Sequence, residues 1–319
     1  MSIESSSDKK IICVTGGAGF IGSHLLPVLL NQENVSVRVL QRTVGAKVAD
    51  QVSVFTGDLL SRDSLVPFFR GAHCVINLAL PAVEQGKKSM VAAQNLAQMS
   101  RNAGVERLLH ISTAMVVGSP SSAFVDEDTP CKPVSEYERH KFLAEQIIQQ
   151  ELSGRVDLGI LRPTAVFGSG GKNLLKLADD IAQGAPWYRG LLRFIHGNRH
   201  MHLVSVEDVV AAIIFLVLGA RSLEGNIFLI SADDDPCNNY LSIDSILGSA
   251  MGKPIPRHSI CLPQWGLRLL LTLAGRSQSN PQLVYDSSKL QSWGFQRRAD
   301  FESNLRRFAY NYQTTSRSL

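Results

Sequence analysis

A tyrosine and a lysine stand four positions apart in the segment Tyr137-Glu138-Arg139-His140-Lys141. On an α-helix, residues at this spacing share one face. An ammonium group beside a phenol favours the phenolate and so lowers the pKa of the phenol. The pattern therefore predicts that Tyr137 acts as a general acid or base near neutral pH, with Lys141 lowering its pKa. Two unrelated residues on a helix surface would show the same spacing.

A glycine-rich turn near the start of the chain adds weight to the catalytic interpretation. Thr15–Gly22 reads TGGAGFIG and follows an apolar strand directly, just before the amphipathic stretch Ile21–Leu30. Glycines at the G-x-G-x-x-G spacing let backbone N–H groups approach a pyrophosphate and let the helix start close to the strand. This context predicts a dinucleotide site, in preference to a turn that has only a structural role.

The end of the second strand bears on which dinucleotide is bound. An acidic residue commonly holds the ribose 2′-hydroxyl about 20 residues after the glycine-rich turn. Here the strand ends in Leu40-Gln41-Arg42, and the nearest acid, Glu33, precedes the strand. Arg42 can pair with a 2′-phosphate, which favours NADP(H), with NAD(H) possible. The alternative is that Arg42 is a solvated residue at the end of a strand.

A hydroxyl pair follows another strand. Arg107–Ile111 is followed by Ser112-Thr113. At the carboxyl end of a parallel strand, the Thr113 hydroxyl can bond a substrate oxygen and place it for Tyr137. The alternative is that this hydroxyl caps the loop that follows.

Short β-branched runs alternate with longer amphipathic stretches along the first half of the chain. Nearly continuous apolar runs are typical of parallel strands that are covered on both faces. This alternation predicts an α/β protein with a Rossmann-type, doubly wound parallel sheet. The predicted strands are Ile11–Thr15, Val35–Leu40, Val52–Phe55, Cys74–Leu78, Arg107–Ile111, Leu158–Leu161 and Ile227–Ile230, and the predicted helices are Ile21–Leu30, Ser61–Phe69, Lys88–Asn102 and Ser135–Glu151.

The alternation breaks after Arg162-Pro163, where glycines, prolines and helical pieces are mixed. We predict a dinucleotide-binding domain formed by residues 1–163 with 205–232. Residues 164–204 with 233–319 form the predicted smaller, discontinuous substrate-binding lobe.

Composition excludes several classes of protein. The chain has 319 residues, 45% hydrophobic and 19% charged, which is ordinary for a globular protein and excludes a disordered or fibrous one. Its net charge of +4 comes without a basic stripe, so nucleic acid is not an expected partner. The five cysteines form no C-x-x-C pair, and no apolar run approaches the roughly 18–20 residues of a membrane span. We expect a cytoplasmic protein without a membrane span.

Several motifs in order resemble the extended short-chain dehydrogenase/reductase family, in its nucleotide-sugar epimerase/dehydratase/reductase branch. They cover nearly the whole chain and include Thr15–Gly22, "STAMVVG" at 112–118, Tyr137–Lys141, "LRPTAVFG" at 161–168 and "VSVEDVV" at 204–210. The resemblance implies catalysis by Thr113, Tyr137 and Lys141, and no metal. It implies that the cofactor is bound by Gly16, Gly19, Phe20, Ile21, Arg42, Asp58, Leu59, Leu78, Ala79, Tyr137, Lys141, Pro163 and Val166.

The later half is similar to enzymes that reduce UDP-linked 4-keto-6-deoxyhexosamines to products such as UDP-N-acetylquinovosamine. This similarity implies an NADP(H)-dependent 4-reductase in the synthesis of cell-surface polysaccharide precursors, with Thr113, Asn173 and Arg199 at the substrate. The branch commonly has an arginine that grips the UDP phosphates where this chain has Met201, and Arg199 can take its place. The family resemblance also implies a homodimer formed through Lys88–Asn102 and Ser135–Glu151.

Other functions stay open at this point. One is an NAD-dependent nucleotide-sugar 4-epimerase, which Arg42 disfavours because such epimerases usually carry an acid at the ribose. Another is a carbonyl or steroid-type reductase. A third is a non-catalytic dinucleotide sensor, which would tend to lack the Tyr137 and Lys141 pair that this chain keeps.

Two further segments have simpler interpretations. His196, His200 and His202 lie close in sequence, but we expect a loop at the substrate pocket rather than a metal site, since no cysteine or carboxylate stands in register. The apolar stretch Trp265–Ala274 contains one charged residue, Arg268. We expect a lobe helix packed on the core, in preference to membrane association.

Overall fold

The computed structural model describes residues 9–43, 51–79, 81, 86–255, 261–273, 280–297 and 300–316. Its central feature is a seven-stranded sheet with the order β10-β7-β5-β4-β1-β2-β3. These strands are β1 (Lys10–Thr15), β2 (Val35–Gln41), β3 (Ser53–Thr56), β4 (Cys74–Asn77), β5 (Arg107–Ile111), β7 (Asp157–Pro163) and β10 (Ile227–Ile230).

The strands of this sheet pair in parallel. β1 pairs with β2 on one side and with β4 on the other, and β2–β3, β4–β5 and β5–β7 are parallel as well. The chain builds outward from β1 through β2 to β3, and then builds in the opposite direction from β4. This reversal is a topological switch point, and it opens a crevice at the carboxyl ends of β1 and β4. The predicted α/β fold with a doubly wound parallel sheet is confirmed.

Helices connect most of the successive strands of this sheet, as is usual for parallel pairing. The predicted helices and strands all form, with ends within one or two residues of the prediction. The helices are α1 (Phe20–Leu30), α2 (Arg62–Phe69), α3 (Gly86–Asn102), α4 (Glu136–Leu152), α5 (Leu175–Gln183), α6 (Pro186–His196), α7 (Val206–Leu218), α8 (Tyr240–Ala250), α9 (Gln264–Leu273), α10 (Ser288–Ser292) and α11 (Phe301–Ser316).

The chain divides into two compact units. Unit 1 consists of residues 1–113, 136–162 and 210–227. Its strands are covered by helices that bury apolar side chains, among them Phe68 and Phe69 of α2, Leu96 of α3 and Ile148 of α4. Helices α3 and α4 pack side by side, and Arg101 of α3 forms an ion pair with Glu151 of α4 at 3.3 Å.

Unit 2 consists of residues 114–135, 163–209 and 228–319 and is about as long as unit 1. Its short strands pair as β6 (Phe124–Val125) with β11 (Val284–Tyr285), and β8 (Ala165–Phe167) with β9 (Leu203–Ser205). Its main core lies between α5, α8 and α11. Residues 114–135 lie in this unit, whereas the predicted dinucleotide-binding domain ran without a break to residue 163. Which unit binds cofactor and which binds substrate stays a prediction.

Helix α9 packs on the core as predicted, but with one side only. Leu267 and Leu271, one turn apart, are buried, as expected for a helix packed on a core. Trp265, Leu269 and Leu273 are exposed. Ala274, the last residue of the predicted helix, lies outside the described residues. In the part of the chain that the structure describes, no helix is long and apolar enough to cross a membrane.

Candidate active site

The glycine-rich turn lies at the switch point of the sheet. Gly16 has a φ of +72°, and a Cβ atom there would lie 3.1 Å from the backbone nitrogen of Ala79, which follows β4. A Cβ atom on Gly22 would lie 2.5 Å from the carbonyl oxygens of Gly16 and Gly17. Side chains at Gly16 and Gly22 would therefore prevent both the tight turn and the close approach of α1 to it.

The N-terminus of α1 is open to an anion. Gly19 occupies the N-cap position and offers no side chain to the helix, and the first turn of α1 contains no acidic residue. The first N–H groups of a helix have no partner within the helix and carry the positive end of its dipole. This end of α1 therefore suits a pyrophosphate, as the sequence predicts.

A cavity of about 390 Å³ adjoins the turn, entirely within unit 1. Such a concave site, with glycine backbone on one side, fits a dinucleotide. Six of the residues predicted to bind the cofactor line it: Gly16, Gly19, Arg42, Asp58, Leu59 and Ala79.

Two hydrogen bonds hold the loop after β3 beside this cavity. The Leu60 N–H group donates to Asp58 Oδ1 at 2.9 Å, which fixes the loop after β3. Asn95 of α3 donates from Nδ2 to the Leu59 carbonyl oxygen at 2.8 Å. Arg42 is exposed at the end of β2, directly after the buried Gln41. A cation therefore stands where an acidic ribose ligand would be expected.

Tyr137 and Thr113 share a hydrogen bond in unit 1. Tyr137 lies in the first turn of α4, with 37% of its surface exposed, and Thr113 is buried after β5. Burial raises the pKa of Tyr137, and the bond with Thr113 lowers it by a smaller amount. The pKa of Tyr137 is therefore shifted in the direction opposite to the one that the sequence predicts, because loss of solvent around the phenol is the largest cause.

Lys141 is buried one helical turn after Tyr137. Its Nζ lies 3.5 Å from the Ile111 carbonyl oxygen of β5. Burial lowers the pKa of Lys141 to about 8, and the carboxylate of Glu145 opposes that change. Lys141 is consequently an ammonium group that can lose its proton close to neutral pH.

An ion pair stands behind Lys141. The guanidinium of Arg162, at the end of β7, binds both carboxylate oxygens of Glu145, with Arg162 Nη2 2.6 Å from Glu145 Oε2. Both side chains are buried, at 2% and 0% exposure. Because Glu145 stands four residues after Lys141, this pair lies on the same face of α4 as the predicted catalytic residues.

A chain of buried polar groups crosses β1, β4 and β5. The Thr15 hydroxyl accepts from the Ala79 N–H group at 3.3 Å and donates to Asn77 Oδ1 at 2.5 Å. Asn77 Nδ2 lies 2.9 Å from His110 Nδ1, so His110 accepts there and carries its proton on Nε2. Burial, followed by the charge of Lys141, lowers the pKa of His110 to about 3, and His110 stays neutral.

Comparison with known proteins places this chain in a family. The sequence profile of the NAD dependent epimerase/dehydratase family matches residues 12–231, which is more than half of the chain. The chain belongs to this family. It is an NAD(P)-dependent oxidoreductase of the extended short-chain dehydrogenase/reductase type.

Characterised relatives of this oxidoreductase act on different substrates. Human sterol-4-alpha-carboxylate 3-dehydrogenase, decarboxylating, is 27% identical over 284 residues, covering 82% of this chain and 71% of that protein. The UDP-glucose 4-epimerase of Azospirillum brasilense is 26% identical over 162 residues, covering 47% of this chain and 46% of the epimerase.

Solved structures share the fold at lower identity. The dTDP-glucose 4,6-dehydratase of Bacillus anthracis, in complex with NAD, has a TM-score of 0.75 at 16% identity, covering 97% of this chain and 98% of that chain. The UDP-glucuronic acid 4-epimerase of Bacillus cereus, also in complex with NAD, has a TM-score of 0.74 at 19% identity, covering 95% and 96%.

Sequence reasoning missed four polar residues of the oxidoreductase that support the site. Glu145 and Arg162 hold the face of α4 behind Lys141, while Asn77 and His110 bridge strands. A signal existed for each pair: Glu145 repeats the four-residue spacing of Tyr137 and Lys141, and Asn77 and His110 interrupt apolar strands. A buried polar side chain needs a partner, so such an interruption predicts a contact without naming it.

Phe20 and Ile21 begin α1, and Leu78 follows β4, all in unit 1, whereas the remaining predicted residues lie in unit 2. Pro163 ends β7, and Val166 of β8 accepts a 2.7 Å hydrogen bond through its carbonyl oxygen from Asn173 Nδ2. Arg199 lies between α6 and β9, where its carbonyl oxygen accepts from the Tyr240 N–H group. Met201, at the position where the branch commonly has arginine, packs against the core of this unit. The roles of these residues stay predictions.

The three histidines of unit 2 have separate surroundings. The rings of His200 and His202 stack with centroids 6.0 Å apart, while His196 lies over the ring of Tyr240. His202 Nδ1 is 2.7 Å from the carboxylate of Asp233. Among the described residues, no group of three or more histidine, cysteine or acidic side chains is arranged to hold a metal ion.

Proposed function

We propose that this oxidoreductase is an NADP(H)-dependent reductase of the 4-keto group of a UDP-linked 6-deoxyhexosamine, in the synthesis of cell-surface polysaccharide precursors. The observation that carries the proposal is the hydrogen bond between Tyr137 and Thr113, one helical turn from the buried Lys141. A phenol, a hydroxyl and an ammonium group together suit the reduction of a carbonyl group, in which negative charge develops on oxygen.

Each residue has a separate task in this proposal. The dinucleotide, when bound, supplies the hydride. The Tyr137 hydroxyl donates its proton to the substrate oxygen, and Thr113 holds both that oxygen and the phenol by hydrogen bonding. The raised pKa of Tyr137 keeps the phenol protonated before the reaction. The Lys141 ammonium group favours the phenolate left after the proton has gone.

The preference for NADP(H) rests on Arg42. This side chain is exposed at the rim of the cavity, where a guanidinium can bind a 2′-phosphate through two parallel hydrogen bonds. The strand before it ends in Gln41, which cannot repel that phosphate. A bound nicotinamide dinucleotide would contact the glycine-rich turn through its pyrophosphate in either form.

The nucleotide-sugar substrate is proposed from proteins to which this chain is similar. Two of the similar proteins, the Azospirillum and Bacillus cereus 4-epimerases, are named for UDP-sugars. Asn173 and Arg199 are the proposed substrate ligands of this chain. We further propose a cytoplasmic homodimer, supported by the exposed apolar residues Val91 on α3 and Leu143 on α4.

A second candidate is a reductase or dehydrogenase of a steroid-type substrate. It is favoured by the relatives that align over most of the chain, among them the human sterol dehydrogenase described above and the mouse 3 beta-hydroxysteroid dehydrogenase type 7, which is 27% identical over 297 residues. Met201, which packs against the core where the branch commonly has arginine, also suits a substrate that has no diphosphate. The catalytic assignment of Tyr137, Lys141 and Thr113 is the same for both candidates.

The test is single-turnover reduction of UDP-linked 4-keto-6-deoxy-N-acetylhexosamine, measured by NADPH absorbance. Tyr137→Phe keeps the ring but deletes the proton, so we expect turnover to fall by about 100-fold or more, with cofactor affinity changed by only a few-fold. Lys141→Met should reduce both turnover and cofactor binding. Thr113→Val should reduce turnover less, because it removes a positioning bond.

Two results would count against the proposal. Near-normal reduction by Tyr137→Phe would show that another group is the acid. A wild-type protein that binds NADPH but leaves the sugar unreduced would reject the sugar while keeping the reductase. A 3-oxosteroid tested in the same assay separates the second candidate from the first.

A further inference from the structure

Helix α6 of unit 2 carries its apolar face outward. Trp187, Leu191 and Phe194 lie three and four positions apart and share one side of the helix. All three are exposed, Trp187 at 73%. Arg189 and Arg193 lie on the opposite side and are buried, where both bind the carboxylate of Asp244 in α8. This arrangement is the reverse of an ordinary surface helix, which turns its charged residues to water.

The buried arginines fix the orientation of α6. Arg189 Nε is 2.7 Å from Asp244 Oδ1, and Arg189 Nη1 is 2.8 Å from the Pro254 carbonyl oxygen. A rotation of α6 that buried Trp187 would break these charge-assisted bonds in a buried site, which is costly. The outward position of the apolar side chains is therefore built into unit 2.

Helix α9 shows a second exposed apolar stripe. Trp265, Leu269 and Leu273 repeat every four residues and are exposed, Trp265 at 75% and Leu273 at 76%. The intervening Leu267 and Leu271 are buried and attach the helix to unit 2. Without this attachment, the exposed stripe would have no fixed direction.

The end of α6 and the start of α9 adjoin. The Leu262 N–H group, two residues before α9, donates to the Phe194 carbonyl oxygen at 2.7 Å. A Cβ atom on Gly197, just after α6, would lie 3.0 Å from Cys261 Cβ. We call the exposed apolar residues of the two helices the α6–α9 surface: Trp187, Leu191, Phe194, Trp265, Leu269 and Leu273.

The two stretches of sequence that contain α6 and α9 have basic residues and no acidic ones. No aspartate or glutamate occurs from Ile181 to Val206 or from Ser245 to Tyr285, the two stretches that contain these helices. Arg268 of α9 and Lys253 before it are exposed. Tryptophan and leucine next to basic residues, without acids, is the composition of a helix that lies at an anionic lipid surface.

A second copy of the chain is a poorer occupant. In a symmetric dimer the same patch meets itself, so two basic patches would be brought together with no acidic residue from either stretch to pair with them. A helix crossing the bilayer is also excluded for this surface, since α6 has 11 residues and α9 has 10, about half the number that a span requires.

We propose that the α6–α9 surface docks unit 2 onto an anionic lipid bilayer, with both helices lying in the plane of the membrane. The tryptophans and leucines enter the boundary between headgroups and acyl chains, and Arg268 of α9 contacts lipid phosphates. This proposal does not depend on the substrate or on the cofactor.

The test is co-sedimentation of the full chain with phosphatidylcholine vesicles, with and without phosphatidylglycerol. We expect binding that requires phosphatidylglycerol, weakens with added salt, and shifts tryptophan fluorescence to shorter wavelength. Replacing both Trp187→Ser and Trp265→Ser should weaken this binding by about tenfold or more. Tyr310→Ser is the matched control, because Tyr310 is 67% exposed and lies on α11, outside the α6–α9 surface.

Three outcomes would overturn the proposal. The wild-type chain fails to bind phosphatidylglycerol vesicles, or the double tryptophan variant binds as well as the wild type. Alternatively, sedimentation without lipid shows an oligomer that the double variant dissociates, which would identify the surface as an interface between copies. Circular dichroism and thermal melting of the variants establish that each one is folded.

Discussion

Each unit of the molecule buries a group of two cations and one anion. In unit 1, Glu145 binds Arg162 and acts on the charge of Lys141. In unit 2, Asp244 binds Arg189 and Arg193. Both groups join a helix to a neighbouring element, so both contribute to the arrangement of helices around their unit.

The cations in the two groups differ in whether they can lose a proton. Arginine stays charged in proteins, so the group in unit 2 has a fixed net charge. Lysine responds to burial, and the pKa of Lys141 falls to about 8. Two cations and one anion therefore hold a helix in place in unit 2. In unit 1 the same number of charged groups provides a titratable group beside Tyr137.

The largest effect is expected from removing the anion of unit 2. Asp244→Asn keeps the shape of the side chain but leaves Arg189 and Arg193 buried without their carboxylate. We expect the free energy of unfolding to fall by about 3–5 kcal/mol, measured by urea denaturation with circular dichroism. This loss should be nearly constant between pH 6 and pH 9, since neither arginine can release its proton.

The matched substitution in unit 1 is Glu145→Gln. Here the loss of stability should shrink as pH rises toward about 8, because Lys141 can become neutral and stop being a buried charge. Equal losses with equal pH dependence for the two variants would remove the distinction between the groups.

An intermediate effect is expected from replacing Arg42, which is exposed, whereas Arg189 and Arg193 are buried. If Arg42 binds a 2′-phosphate, Arg42→Ala should weaken NADPH binding by about 1.5–3 kcal/mol, or ten- to a hundredfold, and leave NADH binding almost unchanged. Fluorescence titration of both cofactors measures this, with Arg70→Ala as a control at an exposed arginine outside the cavity. Equal affinities of the wild type for NADH and NADPH would contradict the assignment.

The smallest effect concerns the pH profile of turnover. Lys141 is charged below its pKa of about 8 and neutral above it, so activity that needs the ammonium group should fall as pH rises through about 8. Glu145→Gln removes the carboxylate that raises this pKa and should move the basic limb of kcat/KM to lower pH by about one pH unit. Lysine-selective NMR, with Lys141 assigned through Lys141→Arg, reports the same change without turnover. If the basic limb of kcat/KM does not move, Lys141 is not the group whose titration sets it.

Much of unit 1 could be predicted from the sequence because its signals are local. A parallel strand covered on both faces reads as an apolar run, and a glycine-rich turn between strand and helix needs few other residues to be recognised. The strand Arg107–Ile111 has the predicted bounds, and Tyr137 and Lys141 lie on one helix face as their spacing indicates.

The sequence did not predict which side chains from distant parts of the chain contact one another. Arg162 and Glu145, or Asn77 and His110, meet because strands and helices distant in sequence are neighbours in the sheet, and no local pattern encodes that pairing. The direction of the Tyr137 pKa was predicted wrongly for the same reason. The spacing of Tyr137 and Lys141 predicts a charge near the phenol. The loss of water around the phenol, however, depends on all the residues that pack against it.

The sequence by itself determined the order of strands and helices, the glycine-rich turn and the residue types of the catalytic set, since each depends on neighbours within a few positions along the chain. Only the tertiary structure decided which faces of α6 and α9 meet water. The periodicity of α6 predicts that the side with Trp187, Leu191 and Phe194 faces inward, whereas in the structure that side is exposed. On α6 the choice is made by Asp244, because two buried guanidinium groups require a carboxylate more strongly than exposed tryptophan and leucine require cover.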